Sequence, residues 1–272
     1  IDDVYGYNFV GINARPNAIP LDDNGHGTHV AGTIAAQGNN GVGVAGVSWN
    51  ARLMALKVLD ASGSGNTSTA ISAILYAVNK GAKIINASWG GYSYSQALKD
   101  AIVTAHNADV LFVAAAGNDD NNNDLNPLYP AGYDVANIIA VAASTRLDAR
   151  ASFSNYGLVS VHLGAPGEEI YSTLPNSGYG LMNGTSTAAP HVAGSAAVLL
   201  ANSPNLTVAG LKAVLTDTVD STPAMHGITA SGGRLNIANA LNCDPNKIVL
   251  RLDAPLYNFT VLANEPTAIT VN

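Results

Sequence analysis

The sequence predicts an α/β fold with a mainly parallel sheet, on the basis of three observations. Short apolar runs rich in Val, Ile and Ala recur along the chain, which is typical of strands that are covered on both faces. Segments with helical spacing of apolar residues separate these runs, and Gly81 follows one of them as a predicted C-terminal cap. Strands that alternate with helices favour a parallel sheet with right-handed crossovers.

The predicted elements follow one another in a regular order. Strands are predicted at residues 53–59, 83–88, 110–115, 137–142 and 159–163. Helices are predicted at residues 26–36, 67–79, 95–107, 186–201, 208–215 and 236–241. Pro190 is expected in the first turn of its helix, where a missing N–H is tolerated.

The pattern changes from Cys243 onward. Ile248, Leu250 and Leu252 alternate with residues of other types, as expected of a strand, and residues 258–262 and 268–271 have the same character. About thirty residues are too few for a domain of their own. We therefore predict one domain over residues 1–242, followed over residues 243–272 by a C-terminal β extension or the start of a further β module.

Composition and charge exclude several classes of protein. Hydrophobic residues make up 47% of the chain and charged residues 11%, which excludes disorder as a global description. The net charge of −7 does not favour binding to the negatively charged backbone of nucleic acid. No run approaches the roughly 18 apolar residues of a membrane span, so neither nucleic acid nor a membrane is an expected partner. Cys243, the one cysteine, excludes an internal disulfide and is predicted to be a buried or linker thiol.

A short segment of small residues points to nucleophilic chemistry. Residues 183–194 read Asn-Gly-Thr-Ser-Thr-Ala-Ala-Pro-His-Val-Ala-Gly, which puts Ser186 after a glycine turn at the start of a helix. Backbone N–H groups and the helix dipole favour negative charge there, so the hydroxyl could attack a carbonyl while the N–H of Ser186 holds the oxyanion. The plain alternative is an N-terminal capping serine, which would be preferred if the serine stood alone.

Two other segments supply the partners that such a serine needs. His26, in Gly25-His26-Gly27-Thr28-His29, is the candidate general base. A zinc site is the rival interpretation, but zinc peptidases need histidines at i and i+4 with a Glu between them, and His26 and His29 are three apart. Asn118, at the end of a buried strand and a glycine turn, is the candidate side-chain donor to the oxyanion, although alone it would read as an ordinary strand-end Asn.

These three segments, in this order, resemble the subtilisin-like serine proteases (subtilases), and the resemblance extends over nearly the whole chain. It implies a three-layer sandwich around the parallel sheet. It also implies an extracellular endopeptidase that hydrolyses peptides through an acyl-enzyme on Ser186, with His26 as acid and base and Asn118 at the oxyanion. Thr187 stands where the family often has Met. A non-protease α/β hydrolase does not fit, since there is no Gly-x-Ser-x-Gly elbow and His precedes Ser.

The triad aspartate of the family has no counterpart in this sequence. In the family it lies ahead of the histidine segment in an Asp-Thr/Ser-Gly turn, whereas residues 1–10 here resemble the stretch after that strand. Asp2 and Asp3 are not followed by Thr/Ser-Gly and are not assigned to the role. Three interpretations stay open. They are an active protease whose N-terminal strand comes from a separate fragment, a cut and nearly inactive chain, and a catalytically silent peptide-binding or scaffold module.

The resemblance also implies binding residues. Segments that hold an extended peptide and line its first pocket are expected at Ser88, Trp89 and Gly90, at Ser62, Gly63, Ser64 and Gly65, and at Ala115, Ala116 and Gly117. Main-chain pairing of this kind would accept many sequences. Asp119 is expected near the base of the first pocket, where it could favour a basic residue. A structural calcium ion is expected in the loop over residues 37–44, held by oxygens of Gln37, Asn39, Asn40, Val42 and Val44.

Overall fold

The computed structural model describes residues 5–10 and 19–243, together with the strands at residues 247–251 and 258–262. Within that part of the chain the helices are α1 His26–Ala35, α2 Thr67–Asn79, α3 Gln96–Asn107, α4 Thr185–Asn202, α5 Val208–Asp217 and α6 Ile237–Asn242. The strands are β1 Tyr7–Asn8, β2 Leu56–Lys57, β3 Ile84–Ala87, β4 Leu111–Ala115, β5 Ile138–Ser144, β6 Leu163–Pro166, β7 Ile170–Leu174, β8 Gly178–Met182, β9 Asp220–Ser221, β10 Gly233–Arg234, β11 Lys247–Arg251 and β12 Asn258–Leu262.

A six-stranded sheet in the order β3-β4-β5-β6-β10-β9 forms the centre of the molecule. The pairs from β3 to β6 and the pair β6–β10 are parallel, and only β9 runs antiparallel to its neighbour. Every residue of β4 and β5 is buried, as expected of strands covered on both faces. The predicted mainly parallel sheet is therefore confirmed.

Alternate residues of β4 pack into two different layers. Leu111 and Val113 contact the cluster that α4 and α5 contribute to, whereas Phe112 and Ala114 belong to the cluster built with α2 and α3. Side chains alternate across a strand, so this division places helices on both faces of the sheet. The predicted three-layer sandwich is confirmed.

Local sequence explains why the flanking helices begin and end where they do. The side chains of Asn66, Ser95 and Thr207 each accept a hydrogen bond from a backbone N–H in the first turn of α2, α3 and α5. Gly81 follows α2 with a φ of +78°, the left-handed conformation that a predicted glycine cap requires.

Three predictions about local structure were wrong. The strand expected over 53–59 is reduced to β2, which pairs with β1 outside the six-stranded sheet. The strand expected over 159–163 begins only at Leu163, where β6 starts to pair with β5. Pro190 lies in the second turn of α4, not the first, because the helix begins at Thr185 and continues through the proline. The antiparallel hairpin of β7 and β8 was not predicted. The burial of its residues does not alternate regularly along either strand, so its sequence lacks the apolar–polar alternation that predicts a strand.

The strands β11 and β12 pair antiparallel with each other. The predicted strand over 268–271 lies outside the described residues, as do Asp2 and Asp3. The division into 1–242 and 243–272 stays a prediction. No helix in the described part of the chain is both long and apolar enough to cross a membrane.

Candidate active site

Ser186 is the second residue of α4, at the end of the helix where backbone N–H groups are exposed. In the first turn, the N–H of Thr185 donates to Asn118 Oδ1 at 2.8 Å and the N–H of Thr187 donates to the Gly184 carbonyl at 3.1 Å. Among the described residues, the N–H of Ser186 has no acceptor. It is therefore free to donate to a negatively charged oxygen at the positive end of the helix dipole.

The side-chain amide of Asn118 is fixed in one orientation. Its Oδ1 accepts from both the N–H and the hydroxyl of Thr185, at 2.8 and 3.0 Å, and that hydroxyl in turn accepts from the N–H of Gly117 at 3.0 Å. A β-carbon at Gly184 would lie 2.8 Å from Ser186 Oγ and 3.6 Å from Asn118 Nδ2. The hydroxyl and the amide donor thus border the same small space, which exists because residue 184 is glycine.

Ser88 holds the backbone of Ser186 through a hydrogen bond. Its hydroxyl donates to the Ser186 carbonyl at 2.7 Å and accepts from Asn86 Nδ2 at 2.9 Å, and Ser88 is only 8% exposed. In a regular helix that carbonyl would accept from the N–H four residues on, but residue 190 is proline and has none. The proline therefore leaves an orphan carbonyl that Ser88 satisfies. A proline four residues after a candidate nucleophile was the sequence signal for such a partner.

His26 is the first residue of α1, and Asp22 holds the start of that helix. The Asp22 carboxylate accepts from the N–H of Gly25 at 2.7 Å and from the N–H and hydroxyl of Thr28 at 2.7 and 2.5 Å. Burial opposes ionisation of Asp22, but the hydrogen bonds from Thr28, Gly25 and Asn24 outweigh it and lower its pKa to about 2. Asp22 therefore caps the helix as an anion.

The surroundings of His26 favour the neutral form of its imidazole. Burial, and then the neighbouring His29, lower the pKa of His26 below its usual value, while Asp22 acts in the opposite direction. A neutral ring is what a general base requires at neutral pH. Among the described residues, no carboxylate is hydrogen bonded to the ring, and the ring makes no hydrogen bond to Ser186.

The other two histidines near the site are engaged with backbone. His29 is fully buried, and its Nε2 lies 2.9 Å from the Ile170 carbonyl and 3.2 Å from the Gly180 carbonyl, which ties α1 to the β7–β8 hairpin. His191 Nδ1 lies 3.0 Å from the Thr187 carbonyl. Within the described residues, no group of three or more His, Cys, Asp or Glu could hold a metal ion.

One cleft of about 720 Å³ brings the three candidate catalytic residues together, since His26, Asn118 and Ser186 all line it. The expected peptide-holding segments also line it, namely Ser62, Gly63, Ser64 and Gly65 on one side and Ser88, Trp89 and Gly90 on the other. Ala115, Ala116 and Gly117 do not. They are buried, because their strand and turn pack into the core, and a β-carbon at Gly117 would lie 2.3 Å from Asn155 Nδ2. Their expected place along the first pocket therefore stays a prediction.

The expected calcium loop is a coil at the surface. Asn39 and Gly41 have φ values of +55° and +72°, and Asn40 Oδ1 accepts from the N–H of Val42 at 3.0 Å. Its donors are main-chain carbonyls and side-chain amides, an oxygen set that suits calcium, but the loop supplies no carboxylate.

A serine at a helix N-terminus, a neutral histidine and a fixed amide at one end of a parallel sheet are typical of α/β serine hydrolases. The sequence matches the Subtilase family, Peptidase_S8, over residues 2–238, and the chain belongs to that family. It is a peptidase-family domain, as the resemblance of the sequence motifs predicted.

Individual relatives agree with this assignment. The chain is 46% identical to subtilisin DY from Bacillus licheniformis over 198 residues, which are 72% of this chain and 71% of that protein. It is 41% identical to thermitase from Thermoactinomyces vulgaris over 238 residues, 88% of this chain and 81% of that protein. A solved protease from Pseudoalteromonas arctica superposes with a TM-score of 0.76 at 32% identity, covering 87% of this chain and 83% of that one.

Proposed function

We propose that this chain is the catalytic domain of a serine endopeptidase of broad specificity. Ser186 Oγ attacks the carbonyl carbon of a peptide bond, and its proton passes to His26. The oxyanion accepts from Asn118 Nδ2 and the N–H of Ser186. The C–N bond then breaks as His26 gives its proton to the leaving amine, and water hydrolyses the acyl ester by the same route. The observation that carries this proposal is the convergence of Ser186 Oγ and Asn118 Nδ2 on the space left by Gly184.

Substrate would lie as an extended strand between the two exposed walls of the cleft. On one wall, the Asp60 carboxylate accepts from Ser62 N and Oγ and from Ser64 N, at 2.6–3.0 Å, which fixes the turn. Main-chain pairing along both walls would bind peptides with little regard to sequence. We propose an extracellular setting for such an enzyme, as the resemblance of the sequence motifs implies.

The orienting aspartate is proposed to come from a separate N-terminal fragment that completes the fold. A largely apolar cavity of about 1070 Å³ lies beside His26. Its lining comes from five parts of the fold, represented by Ile34, Leu56, Ile74, Ile85 and Leu200. Among the described strands, β3 is paired on one side only and β2 pairs only with β1. A strand seated there would satisfy the free edge of β3 and could present a carboxylate to His26.

One experiment tests both parts of this proposal. The purified protein is treated with a fluorophosphonate probe, which reacts with activated serines, and its intact mass is measured under native and denaturing conditions. We expect one probe per chain, located on Ser186, and a second small polypeptide that denaturation releases. Ser186→Ala should not label, whereas Ser195→Ala, which changes a buried serine of the same helix, should label fully.

A catalytically silent peptide-binding module is the second candidate. The specific observation in its favour is that, within the described residues, His26 contacts neither a carboxylate nor Ser186 through a hydrogen bond. It predicts no probe adduct together with retained binding of extended peptides. That result would overturn the enzymatic proposal for this chain.

A structural calcium ion is proposed in the loop over residues 37–44. The amide and carbonyl oxygens of Gln37, Asn39, Asn40, Val42 and Val44 are of the type that calcium takes, and the absence of a loop carboxylate implies weak binding. Ligand that binds only the folded state raises stability, so millimolar calcium should raise Tm relative to EDTA. An unchanged Tm across that range would contradict the site.

A further inference from the structure

The cleft walls carry almost no formal charge. The described residues that line the cleft include His26 but no Lys, Arg, Asp or Glu, although the protein as a whole has a net charge of −7. A carboxylate nevertheless lies immediately beside the site, because Asp119 follows Asn118 in the chain and is exposed. What that carboxylate contacts therefore decides whether the cleft is neutral or acidic towards a substrate side chain.

Asp119 is held by a residue of the cleft wall. Tyr92, which lines the cleft and is 43% exposed, donates its hydroxyl to Asp119 Oδ2 at 2.6 Å. The backbone of Asp119 is fixed as well, since its N–H donates to the buried Asn155 Oδ1 at 2.8 Å. The neighbouring cation Arg150 pairs with Asp120 at 2.6 Å, so it does not compete with Tyr92 for Asp119.

The surroundings of the Tyr92 phenol favour its protonated form, in which it can donate to Asp119. Burial raises the pKa of Tyr92, and the hydrogen bond and the charge of Asp119 raise it further, while Asn155 acts in the opposite direction. Tyr92 therefore holds its proton more strongly than a free phenol does, and it is a donor at neutral pH. A hydrogen bond to a carboxylate is among the stronger ones at a surface and withdraws part of the oxygen's capacity to accept from a cation.

We propose that Tyr92 is a specificity-determining positioning residue, whose hydroxyl holds the Asp119 carboxylate and so keeps the cleft selective for neutral rather than basic substrate side chains. The inference rests on the proposed peptidase function and refines it. It also modifies the expectation that Asp119 itself favours a basic residue, because in this structure the carboxylate already has a donor.

Removing one hydroxyl tests the inference. Tyr92→Phe keeps the ring in the cleft wall but frees Asp119. We expect the ratio of kcat/KM for substrates with Lys or Arg before the cut to that for Leu or Phe to rise about 1.4- to 5-fold, the range for gaining one exposed ion pair. The gain should shrink at high salt. Tyr94→Phe is the matched control, since Tyr94 donates to Gln96 Oε1 at 2.7 Å and does not line the cleft.

A double variant separates the carboxylate from general effects on the cleft. Tyr92→Phe combined with Asp119→Asn should return the ratio to that of the unmodified protein, as should Asp119→Asn alone. An unchanged ratio in Tyr92→Phe with intact labelling of Ser186 would overturn the inference. So would an equal rise in the double variant.

A readout that needs no activity keeps the two proposals distinguishable. With ¹³C-labelled tyrosine, the resonance lost in Tyr92→Phe identifies Tyr92, and its titration is followed by NMR. We expect its midpoint to fall in Asp119→Asn, and a midpoint unaffected by that change would overturn the hydrogen bond on which the inference stands. If Ser186 fails to label while the Tyr92 midpoint responds as expected, the peptidase proposal fails and the contact is upheld.

Discussion

The two sides of the cleft differ in how many hydrogen bonds hold their candidate catalytic side chains, Ser186 on one side and His26 on the other. On the nucleophile side, Asn118, Thr185 and Ser88 place Ser186 through hydrogen bonds of 2.7–3.0 Å above a sheet whose central strands are entirely buried. On the base side, Asp22 fixes the start of α1, but the imidazole of His26 has no hydrogen-bonded carboxylate among the described residues. A large apolar cavity lies next to it. Within the described residues, hydrogen bonds therefore fix Ser186 and Asn118 more completely than they fix the imidazole of His26.

The largest effect should come from the nucleophile side. Asn118→Ala removes the amide donor and should lower kcat by about 10²–10³, the loss already known for one such donor in subtilisin. KM should change little, because the oxyanion exists only in the transition state. Asn126→Ala, in the exposed loop that follows, should leave kcat unchanged. An equal loss in both variants would mean that folding, not the oxyanion, was affected.

Alkaline pH should stabilise the sheet on the nucleophile side. His162 Nδ1 accepts from the N–H of Ala140 at 3.0 Å, so a neutral ring carries its proton on Nε2, which lies 2.8 Å from Lys212 Nζ. An uncharged Lys212 amine can accept a hydrogen bond from the Nε2–H of His162. The same amine can donate to the Ile138 carbonyl at 2.6 Å. Burial lowers the pKa of Lys212 from 10.5 to about 8, although Asp134 acts in the opposite direction.

Whether stability rises or falls with pH depends on which state, folded or unfolded, binds more protons at Lys212. Between about pH 8 and 10.5 the unfolded lysine keeps a proton that the folded one has lost, so the free energy of unfolding should rise with pH across this window. The rise is bounded by about 3 kcal/mol. Urea unfolding at pH 8 and pH 10.5 measures it, and in Lys212→Met the rise should disappear. A rise that persists in Lys212→Met would contradict this account.

Ser88→Ala should weaken the support of the nucleophile. It leaves the partly buried Ser186 carbonyl without a donor, and we expect a loss of about 1–3 kcal/mol in the free energy of unfolding, together with slower labelling of Ser186. In a Pro190→Ala background, residue 190 regains an N–H for that carbonyl, and the loss should be smaller. Ser72→Ala, which removes an exposed hydroxyl bonded to the Ser68 carbonyl, is the control. Equal losses in both backgrounds would argue against the proposed role of Pro190.

The smallest effect should come from the base side. Asp22→Asn weakens the cap of α1, and we expect it to lower stability at pH 7 by about 1 kcal/mol. The pKa of Asp22 is depressed in the folded state, so its contribution is present above pH 3.8 and is lost as the pH falls towards 2. The two proteins should therefore approach equal stability near pH 2, as measured by urea unfolding. A difference that stays constant from pH 7 to pH 2 would rule out the charge as its source.

Sequence reasoning was most successful where the information is local. The helix over 67–79 was predicted with its observed bounds, since a stripe of apolar residues and a following glycine determine it. The start of β6 was missed, since pairing with β5 decides where it begins. The β7–β8 hairpin was missed for a similar reason, as its burial depends on α1 packing against it.

For the site, the sequence by itself determined the candidate chemistry, because a serine after a glycine turn, a histidine in a glycine-rich helix start and an asparagine at a strand end can be read from residue order. Only the tertiary structure decided how these groups are used. The bond from Ser88 to the Ser186 carbonyl and the bond from Tyr92 to Asp119 join residues 98 and 27 positions apart. Such contacts depend on how strands and helices pack, and no local pattern specifies that packing.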